Sequence, residues 1–492
     1  MNKSRKILSL VTAAMMISTT SCSLFSKKPN SGTETVTAAG HFAEKVKIEW
    51  KSTFSYTDQI DKLIADFQEI EPNVEVTYTK ISGNYSALKT NVIDGIGAAN
   101  IPNIVTCYPD HVAEYLDYGI VLNLEKYMDA EDANGEKLDY AWTDEDYEDV
   151  LPSLMSQCNS FAAKGTYMLP HTSSTEAMFY NEEILGKTFE GCNNGNPITA
   201  RYLNDITWEE LMGNLAPAIY KYNADHGNCW LNVGEGGKGA VVAYSGSDNA
   251  FVTLTEQQGV TFSAINKSTG NGEIHFNDDR TMKNVMKQFH GYYQDDLFTT
   301  AALESETNLN VNEKLYAVFA TGSTGGIKYQ VPSDASFNTG VMRIPNFKGK
   351  PHKVISQGPG LCALKVGSDA QKLASYLFMN FMIQKENTLY WALETGYFPV
   401  RSSCFEDDLY IEATSTKGKT EASTDLLKAK VYTYASTVQQ DFFTNVPFKG
   451  SDSARSLAGS LLDECVGYEG EITDSVLDEK FAAAVNEILK KM

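Results

Sequence analysis

The chain has 492 residues, 41 Lys+Arg against 63 Asp+Glu for a formal charge of −22, and is 42% apolar and 11% aromatic. Such a composition excludes a disordered acidic tail, a fibrous repeat and a small stapled scaffold, because the apolar material suffices for packed cores in a protein of two or three lobes. The acidic balance, with no basic stripe beyond the N-terminus, argues against nucleic acid as a partner, since phosphate-backbone binding depends on Lys and Arg.

Lys3, Arg5 and Lys6 precede an apolar run from Ile7 to Ile17, and Ser18-Thr19-Thr20-Ser21 leads directly into Cys22. A positive start, an apolar segment too short to span a bilayer and a small-residue cleavage site make an export signal over residues 1–21. Residues 22–42 form a polar tether without periodicity. A cleavage-site cysteine followed by a tether resembles a bacterial lipoprotein. That resemblance implies an acylated Cys22, with the chain anchored to the cell membrane and facing the periplasm or the cell exterior. Thr19 departs from the leucine usual at that place.

The folded part opens with Val46 to Trp50 alternating as a strand, then Ile60, Leu63, Ile64 and Phe67 at helical spacing before Pro72. Val74, Val76 and Tyr78 mark a second strand. Leu88, Val92 and Ile96 mark a second helix, and Ile104-Val105 a third strand. Strand, helix, strand, helix, strand predicts parallel βαβ units, with ligand loops beyond the strand ends at Ser52 to Tyr56, Ser82 to Tyr85 and Tyr108 to His111. Further on, Thr207 is placed to cap a helix opened by Trp208, with Glu210 as its capping-box partner. Residues 221–239 read as a Gly/Asn-rich surface loop. Phe289, Tyr292 and Tyr293 fall on a helix begun near Asp279, and helices return from Asp369 to Glu394 and from Ala454 to the end.

Chemical motifs are few. There is no phosphate-binding G-x-x-x-x-G-K-[ST], no strand-linked G-x-G-x-x-G and no paired-histidine motif, so neither a cofactor nor a metal is expected. A calcium-like loop over Asp129 to Asp139 fails at Ala130, and the run Asp144, Glu145, Asp146, Glu148 and Asp149 reads as a solvated face. Beyond Cys22 the seven cysteines are odd in number and lack C-x-x-C, which predicts buried thiols, with Cys192 and Cys229 a possible pair. No nucleophile and base recur together, so catalysis is not expected. Tyr85, Tyr108, Tyr180, Tyr244 and Tyr397 stand near Gly, Ser and Asn, as a cleft that stacks rings on a polar ligand requires, although each ring alone reads more readily as packing.

Taken in order, Phe67 to Val76, Gly95 to Ile104, Leu169-Pro170, Ser173-Ser174-Thr175 with Phe179-Tyr180-Asn181, Ile206 to Leu211, and Gly396 to Val400 resemble the extracellular solute-binding proteins of carbohydrate-type ABC importers. The resemblance implies a two-lobed α/β periplasmic-binding-protein fold of the class II type, with a ligand closed between the lobes. One lobe is expected over 43–170 plus 358–385 and the other over 176–355 plus 390–492, with hinges near 171–175, 356–357 and 386–389. It also implies a monomer that delivers a small polar ligand to an ABC permease and catalyses nothing itself.

Within that family the chain is similar to the glycerol-3-phosphate-binding branch. The similarity implies cleft roles for Tyr85 in Gly83-Asn84-Tyr85, for Ser173 and Ser174, for Ser323 in the stretch Thr321 to Gly326, for Gly358 by its backbone, and for Tyr397. Arg455 matches the arginine that holds the phosphate, a role suited to a guanidinium fork. Tyr108-Pro109-Asp110 stands where the branch has Tyr-Glu, so Asp110 is expected to reach in from the next position beside Tyr108. Tyr244 lies where the branch is tryptophan-rich. The similarity implies glycerol 3-phosphate or a related glycerophosphodiester as the ligand, and these departures leave another phosphodiester or a neutral mono- or oligosaccharide as alternatives. A secreted carbohydrate-active enzyme and an adhesin are the alternatives in function.

Overall fold

The computed structural model describes residues 40–98, 100–231, 240–304, 317–326 and 337–492. The export signal, Cys22 and most of the tether lie outside the described residues. Strand Val46–Ser52 is followed by helix Thr57–Ile70, which buries Ile60, Leu63, Ile64 and Phe67 on one face. Strand Val74–Lys80 then pairs in parallel with the first, and helix Tyr85–Gly97 buries Leu88 and Val92. Strand Ile104–Cys107 adds on the other side of the first, again in parallel. Period-two strands alternating with period-3.6 helices thus give the βαβ opening expected of them. Two strands from later in the chain complete this sheet: Gly360–Ala363 runs antiparallel between Ile104–Cys107 and Leu169–Pro170.

A second five-stranded sheet runs in the order Thr339–Met342, Glu176–Asn181, Phe319–Ser323, Val242–Tyr244, Phe298–Thr300. Each sheet has its own apolar core. One is built around Trp50, Trp142 and Trp391, and the other around Trp208, Phe251 and Phe289. Trp391 packs in the first core while Leu389, two residues earlier, packs with Phe179 and Tyr432 of the second lobe, so helix Lys385–Thr395 touches both.

Three segments pass side by side between the sheets. Ser173 exchanges backbone hydrogen bonds with Phe398, and Ser174 exchanges them with Gln357, whose amide donates to the Ser174 carbonyl at 2.9 Å. Gly358 follows with φ +149°, and a Cβ there would sit 2.2 Å from the Thr172 carbonyl oxygen, so only glycine fits this crossing.

Local structure departs from expectation in three places. Helix Ala216–Asp225 takes the first part of the expected loop at 221–239, because Ile219 and Asn223 are buried against the second core. Thr207 caps its helix by accepting from the Glu210 amide, but the Glu210 carboxylate accepts from the Tyr202 hydroxyl at 2.7 Å and does not close the box. Cys192 and Cys229 are separate thiols; Cys192 is buried and Cys229 exposed. Among the described residues no helix is long and apolar enough to cross a membrane, and no group of three or more His, Cys, Asp or Glu is placed to hold a metal ion.

Candidate functional site

Four helices begin around one cavity between the lobes, of about 300 Å³, lined by residues that include Tyr85, Tyr108, Asp110, Asp248, Asn249, Gln357, Asp452 and Arg455. From the first lobe come the N-termini of Tyr85–Gly97, capped by Asn84, and of Pro109–Asp117, where proline suits the first helical position. From the second come those of Ser247–Gln258 and Ser451–Val466. A helix N-terminus carries partial positive charge. Three of these four place an aspartate in the first turn, Asp110, Asp248 and Asp452, so the field entering the cavity is offset by the protein's own carboxylates.

Arg455 is the cation among them. Its Nη1 lies 3.3 Å from Asp110 Oδ2 and its Nη2 lies 2.8 Å from Asn249 Oδ1 and 3.5 Å from Asp248 Oδ2. Its Nε has no hydrogen-bond partner among the described residues. Burial opposes the guanidinium charge, but Asp110 and Asp248 outweigh it and hold the group firmly protonated. Asp110 also accepts from the Ser451 hydroxyl. Beside them Lys89 spans from the first lobe to Asp452 at 2.6 Å while pairing with Glu114 at 2.9 Å. Burial pushes His111 down to about 4, so this lining histidine is neutral.

An aromatic wall continues from the cavity toward the crossing segments. Tyr108 meets Tyr85 edge to face at 5.0 Å between ring centres, Tyr85 meets Phe54 at 6.5 Å, and Phe54 meets Tyr397 at 6.2 Å. Burial raises the hydroxyl pKa of Tyr85 well above its usual value and that of Tyr108 to about 12, so both stay neutral hydrogen-bonding groups.

Tyr85, Tyr108, Asp110 and Arg455 therefore come together at the cavity. Ser173, Ser174 and Gly358 lie in the crossing segments, with the serines buried and their backbones paired. Tyr397 and Ser323 flank them: a Cβ on Gly325 would meet the Tyr397 ring at 2.9 Å, and the Gly325 amide donates to the Ser323 hydroxyl at 3.3 Å. Tyr244 ends a strand, is 1% exposed and gives its hydroxyl proton to Glu176 at 2.6 Å, so it stands behind the cavity. Asp248, Asn249, Gln357 and Asp452 were not singled out in the sequence. One signal for two of them is present there, because Gly246-Ser247-Asp248 and Gly450-Ser451-Asp452 open both second-lobe helices with the same three residues.

A family model for the bacterial extracellular solute-binding protein matches residues 62–417. No curated protein sequence matches the chain. Among solved structures, the cyclic alpha-maltosyl-1,6-maltose binding protein from Arthrobacter globiformis has a TM-score of 0.66 at 16% identity, covering 91% of this chain and 100% of that one. UgpB from Mycobacterium tuberculosis, in complex with glycerophosphocholine, has a TM-score of 0.64 at 15% identity, covering 90% and 98%. The sugar-binding protein MalE from Xanthomonas citri gives 0.64 at 13% identity, covering 90% and 98%. Two α/β sheets with separate cores, three crossing segments and a polar cavity between them agree with this match, and the chain belongs to the bacterial extracellular solute-binding protein family.

Proposed function

We propose that the chain is the lipid-anchored receptor of an ABC importer, tethered through Cys22, which closes as a monomer on a neutral polyhydroxylated ligand of the sugar class and hands it to a membrane permease without transforming it. The observation that carries the ligand class is the neutralised guanidinium: Arg455 faces both Asp110 and Asp248. A sugar hydroxyl donates to a carboxylate and accepts from a guanidinium or amide, so it joins this set without displacing any charge. An anion would have to break an existing ion pair and lie beside two carboxylates. The aromatic wall supplies flat faces for the C–H surfaces of a sugar ring. Contacts from both lobes give the ligand a differential affinity for the closed form, as closure requires.

A phosphorylated polyol, such as glycerol 3-phosphate or a glycerophosphodiester, is the second reading. The unpartnered Arg455 Nε favours it, since that N–H points into a buried space without an acceptor.

Calorimetry of the chain from residue 22 onward, with Cys22→Ser, against maltose, maltotriose, glycerol 3-phosphate and glycerophosphocholine separates the two. Saturable binding of a neutral sugar with no phosphate response supports the first reading. Binding of the phosphorylated compounds alone transfers the site to the second, and product formation from either class overturns the receptor role.

A further inference from the structure

Glu176 is 2% exposed and follows directly on the crossing segment 171–175. Its Oε2 accepts from the Tyr244 hydroxyl at 2.6 Å, and its Oε1 accepts from Asn249 Nδ2 at 3.0 Å. The same Asn249 nitrogen donates to Gln357 Oε1 at 3.2 Å, and the Asn249 oxygen accepts from Arg455 at 2.8 Å. Glu176 therefore stands one residue behind the cavity wall, at the base of a chain that ends on the guanidinium.

We propose that Glu176 is a positioning residue: its carboxylate fixes the orientation of the Asn249 amide and, through it, the placing of Arg455 toward the ligand. The sugar-affinity part rests on the receptor reading above.

An ionised carboxylate only accepts hydrogen bonds, and a guanidinium only donates them. Placed between the two, the Asn249 amide has one permitted orientation, with nitrogen toward Glu176 and oxygen toward Arg455. Flipping it sets oxygen against oxygen at one end and N–H against N–H at the other. Protonated Glu176 carries a donor of its own and no longer forbids the flip. Burial pushes this carboxyl up to about 7, against the hydrogen bonds from Tyr244 and Asn249, which favour the charge. Asp248 adds repulsion and Arg455 attraction, while the Tyr434 hydroxyl donates to the Glu176 backbone carbonyl at 2.8 Å. Burial thus sets a cost in stability on the ionised form, and the two protonation states are both accessible near neutral pH.

The test follows the Arg455 side-chain nitrogen resonances by NMR in the residue 22–492 chain with Cys22→Ser, without ligand, between about pH 5.5 and about pH 8.5. In the wild type they move with a midpoint near 7, and in Glu176→Gln they stay still. In parallel, wild-type affinity for maltose falls about tenfold from the alkaline to the acid end, whereas Glu176→Gln binds weakly at every pH. Arg455 resonances that titrate equally in Glu176→Gln, or that stay flat in the wild type, overturn the positioning role. A failure of both maltose and maltotriose to bind overturns the sugar reading alone, because the resonances still decide the role of Glu176. Should Glu176→Gln not fold, Asn249→Ala provides the same comparison: the Arg455 titration must collapse when the relay is cut, and its persistence counts against the relay.

Discussion

Asp110 on the first lobe and Arg455 on the second face each other across the cleft, Oδ2 to Nη1 at 3.3 Å, and the same carboxylate accepts from Ser451 at the start of the Arg455 helix. One side chain of the first lobe therefore sets both the charge balance and the closure of the site. Asp110→Asn releases part of the guanidinium from its competing anion. Inorganic phosphate should then bind measurably tighter than to the wild type, while affinity for a neutral sugar falls by about 1 to 2 kcal/mol through a lost charged acceptor. Titration calorimetry with both probes checks this, and unchanged affinity for each would remove Asp110 from the ligand site.

The buried carboxyl of Glu176 has a raised pKa in the folded chain, about 7 against an ordinary 4.5. The native state therefore holds this proton more tightly than the unfolded state. Its contribution to stability is present in full below the ordinary value and is lost as pH rises toward and through about 7. Glu176→Gln, which cannot ionise, should lose stability less steeply over that interval. The gap between variant and wild type should close or reverse in the variant's favour by about 2 to 3 kcal/mol between acid and mildly alkaline buffer. Urea unfolding at a series of pH values measures it, and parallel curves would refute the assignment.

Lys89 and Lys449 both pair across the lobes, with Asp452 and Asp117, yet they differ in surroundings. The Lys89 side chain is 15% exposed and that of Lys449 is 57%. Lys89→Met leaves Glu114 and Asp452 facing each other in a half-buried space and should cost about 1 to 2 kcal/mol of stability, together with weaker ligand binding. Lys449→Met should change either by less than about 0.5 kcal/mol. Thermal unfolding and calorimetry on the two variants check the ranking.

Gly358→Ala meets two penalties at once, a φ of +149° and a backbone oxygen 2.2 Å from the new Cβ. Gly349→Ala meets only the first, with φ +75° and open space around it. We expect a loss of at least about 3 kcal/mol for the former and of about 1 kcal/mol for the latter. Denaturation midpoints read both, and equal losses would mean that the crossing segments shift to make room.

Cys229 is exposed, while Cys107, Cys158, Cys192, Cys362, Cys404 and Cys465 are buried. Ellman's reagent on the native chain carrying Cys22→Ser should therefore find one fast thiol, and the other six only after unfolding. No fast thiol, with a non-reducing mass lower by two hydrogens, would instead mean that Cys192 and Cys229 had joined.

The opening of the fold was legible because its strands and helices bury residues at their own periods, Val46, Ile48 and Trp50 on one side and Ile60, Leu63, Ile64 and Phe67 on the other. Arg455 and its partner Asp110 follow from the resemblance, whereas its other partners, Asp248 and Asn249, do not. Asn249 and Gln357 are joined by a contact between residues 108 positions apart, which no local pattern encodes. Tyr244 drew notice as a loop tyrosine beside Ser245 and Gly246. It ends the interior strand Val242–Tyr244, and that placing turns the hydroxyl toward Glu176.

The strand Gly360–Ala363 lies between two partners that precede it, Ile104–Cys107 and Leu169–Pro170. The N-terminal lobe thus waits for a piece synthesised about 250 residues after its third strand, when roughly three-quarters of the polypeptide exists. Until that piece arrives the first sheet has a gap at its fourth position, and the nascent chain holds no finished lobe at its leading end. For a protein that functions outside the cell, late completion works in favour of crossing: the first lobe cannot close its sheet until about three-quarters of the chain has been made.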